Sequence, residues 1–127
     1  MSASFTTIYT KDAPAAIGPY SQAIAYGGLV YTSGQIGINP ITGSIDAPGI
    51  EGQTEQIIRN LKAVLEAAGT DLTRVVKTTC FLQSMADFAA FNAVYEKHFT
   101  GKPARSCVEV SALPKGALVE IEAVAAY

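Results

Sequence analysis

Charge is scarce in this sequence. Of 127 residues, 16% are Asp, Glu, Lys or Arg, where about 25% is usual for a soluble domain. The 9 basic and 11 acidic residues leave a formal net charge of −2, and the basic ones are scattered along the chain. That argues against a nucleic-acid binder, which needs several Lys or Arg on one face to track phosphates. Tryptophan is absent and there is one histidine, His98. A lone imidazole excludes a His-based metal cluster, and any Ser-His-Asp or Cys-His machine would depend on that single ring near a helix end. The two cysteines, Cys80 and Cys107, are too few and too far apart for a zinc ribbon or a Cys-x-x-Cys motif, and both read as reduced thiols. No Gly-x-Gly-x-x-Gly occurs, and Gly101-Lys102 lacks the phosphate-loop pattern before it, so nucleotide cofactors are not indicated. The most apolar stretch, Ala117 to Tyr127, is short and broken by Glu120 and Glu122, far from a membrane span. Met1 to Thr7 shows neither the charged nor the apolar region of a secretory signal, so a soluble cytoplasmic protein is expected.

What is abundant is apolar material, at 49% of residues. A chain of this length buries roughly two thirds of its unfolded surface, enough for one domain over residues 1–127 without disulfides. Little polar surface remains to cover it, so part of the apolar exterior is expected to meet another subunit.

Periodicity predicts the element order βββαβαββ. Phe5–Thr10 reads as a short strand, and Ala23–Tyr26 with Leu29–Ser33 as a hairpin turned at Gly27 and Gly28. From Gly52, apolar Ile57, Leu61, Val64, Leu65 and Ala68 recur at helical spacing until Gly69, while Glu55, Arg59, Lys62 and Glu66 face away. Val75–Leu82 reads as a strand with Val76, Thr78, Cys80 and Leu82 on one side. Ser84 and Asp87 resemble a capping box before a second helix with Phe88, Phe91 and Tyr95 as its apolar stripe, ending near His98. Arg105–Ala112 and Ala117–Ala125 read as strands around a turn at Leu113–Gly116. The expected architecture is α+β, with two helices on one face of a mixed sheet and the other face free for solvent or a second chain.

Arg105 stands near the start of an otherwise apolar strand, where a guanidinium can hold a small carboxylate in a two-pronged bond or simply pair with a surface glutamate. Cys107 shares its face, about 6 to 7 Å along, as wall or backbone donor rather than nucleophile, since no base accompanies it. Glu120 can position a water. Equally, Glu120 and Glu122 can be solubility devices on an edge strand. If the last two strands form a hairpin, Glu120 lies beside Glu109 while Arg105 lies near Val124, roughly 13 Å away. Arg105 and Glu120 of one chain then do not converge, and a site using both is more easily assembled between chains. Ser33-Gly34-Gln35 ends a strand, where glycine lets a ligand approach the backbone or merely terminates pairing. Tyr20 can donate into a cleft or cap loop packing, and Asn92 can reach a ligand or face water.

The combination is more specific than its parts. Ala16-Ile17-Gly18-Pro19-Tyr20-Ser21-Gln22, Ser33-Gly34-Gln35-Ile36, Asn60-Leu61-Lys62-Ala63-Val64-Leu65, Pro103-Ala104-Arg105-Ser106-Cys107-Val108-Glu109-Val110, Leu113-Pro114 and Val119-Glu120-Ile121-Glu122 resemble the Rid (YjgF-type) family over nearly the whole chain. The Arg-Ser-Cys segment and the downstream glutamate look like the RidA subgroup, the 2-iminobutanoate/2-iminopropanoate deaminases. The resemblance implies a chorismate-mutase-like protomer, a homotrimer with its sheets lining an inner barrel, and ligand clefts between subunits. It also implies that Arg105 binds the substrate carboxylate, that Glu120 orients water, and that Tyr20, Ser33, Gly34, Asn92 and Cys107 line the cleft. No metal or other cofactor is implied. The implied partners are small 2-imino and 2-oxo acids, with no membrane. Some relatives bring the alternative of a ribonuclease or translation inhibitor, and a non-catalytic carboxylate-binding or chaperone-like trimer is a third reading. Two departures from the family pattern are Gly37, where many members have proline, and the short link from Phe99 to Pro103.

Overall fold

The computed structural model describes residues 4–127. Strands β1 (Thr6–Ile8), β2 (Ala23–Tyr26) and β3 (Leu29–Thr32) form an antiparallel meander. Gly27 and Gly28 turn the β2–β3 hairpin at φ 61° and 84°. Two successive left-handed residues match the twist of the flanking strands, and glycine adopts them without a Cβ clash. β1 is shorter than expected because the Thr10 N–H donates to the side chain of Gln22, at 2.7 Å, instead of to a strand. A small hairpin, β4 (Ile38–Asn39) with β5 (Ser44–Ile45), was not anticipated from the sequence.

Helix α1 (Ile50–Ala67) starts two residues before the expected Gly52 and buries Ile57, Ile58, Leu61, Val64 and Leu65. It ends in a Schellman motif. Gly69 sits at φ 85°, its N–H donates to the Glu66 carbonyl, and the Thr70 N–H donates to the Leu65 carbonyl, both at 3.0 Å.

Strand β6 (Val75–Leu82), helix α2 (Phe88–His98) and strand β7 (Ala104–Glu109) make a crossover that sets β6 and β7 parallel. Ser84 accepts the Ala86 N–H at 3.2 Å at the start of the intervening 3-10 turn, but Asp87 returns no cap with its side chain, so only half of the capping box forms. Val76 does not share the inward side of β6. The register slips between Val75 and Lys77 opposite β8 (Val119–Ala126), a bulge that leaves Val76 47% exposed and puts Val75 inside with Thr78, Cys80 and Leu82.

The two last strands do not form a hairpin. The sheet order is β1-β2-β3-β8-β6-β7, with β6 between β7 and β8. Val119, Ile121, Ala123 and Ala125 are all buried, so β8 gains most from a central place. β7 is half-exposed along its length and forms the edge, ending at Glu109 rather than Ala112. Glu120 and Glu122 therefore lie on an interior strand, not on an edge. Both helices cover the face that carries the core, as expected for the α+β reading.

Three buried amide side chains tie loops to this core. Gln22 accepts from Thr10 and donates to the carbonyls of Thr10 and Pro14, at 3.0 and 2.8 Å. Gln53 accepts the Leu118 N–H at 2.9 Å and donates to the Ala47 carbonyl at 3.1 Å. Asn60 donates to the Ile38 carbonyl at 2.8 Å. Such amides act as substitute strand partners for segments too irregular to pair. Replacing Gln22→Leu strips the carbonyls of Thr10, Ala13 and Pro14 and the Thr10 N–H of partners, and a loss of about 2 kcal/mol in urea-denaturation stability is expected.

Candidate functional site

The candidate residues fall into two clusters on opposite faces of one sheet. The first surrounds Glu120. A cavity of about 570 Å³ is lined by the loop from Pro14 to Gln22, by Ser33–Ile36 and by Pro114, Lys115 and Glu120. It thus gathers Tyr20, Ser33, Gly34 and Glu120. Burial pushes the Glu120 carboxyl above its usual range, and the like charge of Glu122 pushes the same way. A Cβ built on Gly34 would lie 2.8 Å from the carboxyl carbon of Glu120 and overlap its oxygen, so only glycine lets the carboxylate rest against the backbone there.

The donors around this cavity are distinct. The Ser33 N–H is engaged by the Gln22 carbonyl at 2.9 Å, and the Ser33 hydroxyl donates to the Ser21 carbonyl at 2.6 Å. The Gln35 N–H donates to the Ile121 carbonyl at 2.8 Å. Between them, the Gly34 N–H makes no hydrogen bond among the described residues. The strand end thus offers one open backbone donor beside the carboxylate, with Ser33 fixing the turn. The Tyr20 ring is half-exposed at the cavity wall.

The second half-site surrounds Arg105. Its Nη1 donates to Asn92 Oδ1 at 2.8 Å, and its guanidinium carbon lies 4.8 Å from the Tyr95 ring centroid and 5.6 Å from that of Phe88. Cation–π attraction seats it on this platform. Below, the Tyr95 hydroxyl and the Thr78 hydroxyl share a buried hydrogen bond of 2.7 Å. No carboxylate pairs with Arg105 among the described residues, so its remaining donors face no competing protein anion. Asn92 faces Arg105 rather than water. Cys107 shares this face, paired in register with Cys80. Burial raises its thiol while Arg105 lowers it in part, and Cys80 is pushed up to about 12. Neither is a poised thiolate, which fits Cys107 as a wall.

Parity separates the halves. Through β6, Arg105 aligns with Thr78 and Ala123, while Glu120 aligns with Phe81 and Val108. Ala123 and Thr78 are buried under the helices, so Glu120, an odd number of positions away, lies on the helix-free face. The two side chains are two strands and three register steps apart, roughly 10 Å in each direction. The hairpin register that placed Arg105 near Val124 and Glu120 beside Glu109 is replaced by this one, and the expectation that one chain does not bring the pair together holds.

Residues 10–127 match the family described as endoribonuclease L-PSP. The chain belongs to this family. The crystal structure of the Rid protein YyfA of Yersinia pestis, described as of unknown function, superposes on it with a TM-score of 0.95 at 52% identity over 98% of this chain and 100% of that one. The 2-iminobutanoate/2-iminopropanoate deaminase of Escherichia coli K12 is 50% identical over 123 residues, 94% of this chain and 95% of that protein. Escherichia coli TdcF with bound serine superposes with a TM-score of 0.91 at 42% identity, covering 96% and 98% of the two chains.

Of the two departures, Gly37 is not itself a cavity wall but lies between Ile36 and Ile38, which are. A Cβ on Gly37 would meet the Gln53 backbone at 3.1 Å, so glycine there permits close packing on α1. The Phe99–Pro103 link is not among the cavity walls. Three residues beside the candidate site escaped the sequence reading: Lys115 on the cavity wall, and Thr78 with Tyr95 beneath Arg105. A tyrosine within an apolar helix stripe was the available signal, because a buried hydroxyl needs a partner.

Gly34 is outside the left-handed region, so Gly34→Ala strains no backbone. The variant is expected to keep its stability within about 0.5 kcal/mol while the Glu120 carboxylate swings aside, as its crystal structure would show.

Proposed function

We propose that this protein hydrolyses reactive 2-imino acids such as 2-iminobutanoate and 2-iminopropanoate to 2-oxo acids and ammonia, in clefts completed between adjacent copies of a homotrimer. The observation that carries the reading is the division of the site: a cation on an aromatic seat with open donors, and a half-buried carboxylate beside a free N–H, on faces that one chain cannot bring together. A second copy supplies the missing half. The helix-free face offers Ile24, Tyr31, Phe81, Val108 and Val124 for such contact, in keeping with the scarcity of charge. The curated deaminase relative and the serine-bound neighbour, whose ligand is an amino acid of matching size, support a small carboxylate as ligand. The unpaired thiols of Cys80 and Cys107 suit a reducing, cytoplasmic setting.

The chemistry asks little of the protein beyond placement. A protonated imine is already electrophilic at C2, so orientation and a positioned water supply most of the acceleration. Arg105 holds the carboxylate in a forked hydrogen bond. Glu120 accepts a proton from water as its oxygen bonds to C2, giving a carbinolamine. Glu120 returns that proton to the nitrogen, the C–N bond breaks and ammonia leaves, and the Glu120 carboxylate takes up the hydroxyl proton as the oxygen becomes the carbonyl of the 2-oxo acid. The Gly34 N–H is placed to stabilise oxygen charge developing near Glu120. RNA cleavage, the activity in the family's description, finds less support. It calls for paired acid and base groups, and the single histidine is held by Glu55 at 3.1 Å.

Imines generated by a dehydratase acting on threonine or serine should vanish faster with the protein than without it. Arg105→Ala should abolish that acceleration while leaving the circular dichroism spectrum intact, and unchanged activity in this variant rules the reading out. Mixing Arg105→Ala with Glu120→Gln chains under exchange conditions should restore about a quarter of wild-type activity, since one interface in three of each hybrid is intact and about three quarters of trimers are hybrid. Complementation fails if each site belongs to one chain.

Glu120 must be ionised to accept a proton, so its raised pKa sets the acidic limb of kcat/KM above the ordinary glutamate range. Glu122→Gln removes a like charge, stabilises the Glu120 carboxylate and should move that limb to lower pH in a rate–pH profile.

A further inference from the structure

The turn before β8 holds a lysine where the backbone favours glycine. Lys115 has φ 57° and ψ 24°, and Gly116 follows at φ 67°. Side chains with a Cβ enter this left-handed region at a cost, which glycine avoids and asparagine reduces. Nothing within the described residues compensates through the side chain, because the Lys115 ammonium has no hydrogen-bond or carboxylate partner among them. The strain is held by the surroundings. Pro114 presets the turn, Gly116 and Ala117 donate to the carbonyls of Leu113 and Pro114 at 3.3 and 3.1 Å, and the next residue, Leu118, is tied to Gln53 of α1. A non-glycine residue fixed in a strained conformation beside a cavity points to a task for its side chain.

The cavity shows what that task is. Its lining includes one carboxylate, Glu120, and one cation, Lys115. Glu122 lies two positions further along the same face and adds negative potential. An anionic substrate approaching Glu120 meets a wall that repels it, while Arg105 stands on the other face of the sheet and reaches the ligand from another chain. We infer that Lys115 is a specificity-determining residue that draws carboxylate-bearing substrates into the cavity, its exposed ammonium being the one cation on a wall that otherwise carries the Glu120 carboxylate. The inference rests on the proposed deaminase site. Lys115 acts on entry and binding of the anion and not on proton transfer, because the carboxylate it serves is held by Arg105 through the chemical step.

Lys115→Gly keeps the turn conformation and removes only the side chain, and Lys115→Ala removes both the side chain and the ease of the turn. Both variants, Lys115→Arg, and Lys97→Ala as a control for net charge on the helix face, are compared with the wild type. The readouts are steady-state imine hydrolysis at several salt concentrations and calorimetric binding of 2-oxobutanoate, the stable product. Lys115→Gly should raise KM and the product Kd about three- to five-fold, leave kcat within about a factor of two, and flatten the salt dependence of kcat/KM. Lys115→Arg should recover most of the loss, and Lys97→Ala should match the wild type. Unchanged KM, Kd and salt dependence in Lys115→Gly overturns the inference, as does a fall in kcat at constant KM. A wild-type protein that binds 2-oxobutanoate without hydrolysing imines defeats the deaminase reading instead, and the binding arm still judges Lys115.

Discussion

A β-strand sends successive side chains to opposite faces, and no rotamer carries a side chain through the sheet. Arg105 and Glu120 fall on opposite sides of that divide because β6 sets the register of both neighbouring strands. Everything else in the site follows from this separation. The cation can be seated among aromatic rings under α2, and the carboxylate can be desolvated on the far face, without the two neutralising each other as an internal ion pair. A pair that met within one chain would satisfy itself and leave nothing for a ligand. Kept apart, each half retains unsatisfied capacity, which in the proposed reading a small acid and a water fill once a second copy brings the faces together.

Each half is preorganised by different means. Arg105 is positioned by Asn92 and by the rings of Tyr95 and Phe88, while the Tyr95 hydroxyl is itself anchored to Thr78. Aromatic faces attract the guanidinium without taking its donors, so its forked geometry stays available. Glu120 is positioned by absence of bulk: the bare backbone of Gly34 receives the carboxylate. The loops around it are irregular, and buried amides of Gln22, Gln53 and Asn60 replace the strand partners they lack. These amides shape the cavity without touching its chemistry.

Charge placement in the cavity combines opposing demands. Burial and Glu122 raise the proton affinity of Glu120, which suits a group that must take a proton and return it. The same negative field opposes an anionic ligand. In the proposed shared cleft Arg105 answers that repulsion from a second copy, while Lys115 lies on the cavity wall itself.

Local pattern determined much of this molecule. The glycine pair of the first hairpin, the stripe and glycine stop of α1, the strand nature of Val75–Leu82 and the aromatic stripe of α2 follow from periodicity and turn chemistry, which depend on neighbours in the chain. The Rid resemblance drew Tyr20, Ser33, Gly34, Asn92, Arg105, Cys107 and Glu120 into one candidate site. What tertiary structure alone decided is strand order and register. Two strands joined by a short turn look like a hairpin, but the deeper burial of β8 gives it the sheet centre and leaves β7 at the edge. Hydrophobic burial is summed over the whole core, so neither strand's own residues reveal which will win the central place. The bulge at Val76 and the face on which Arg105 lies depend in turn on that order, because each is a relation between segments far apart in the chain.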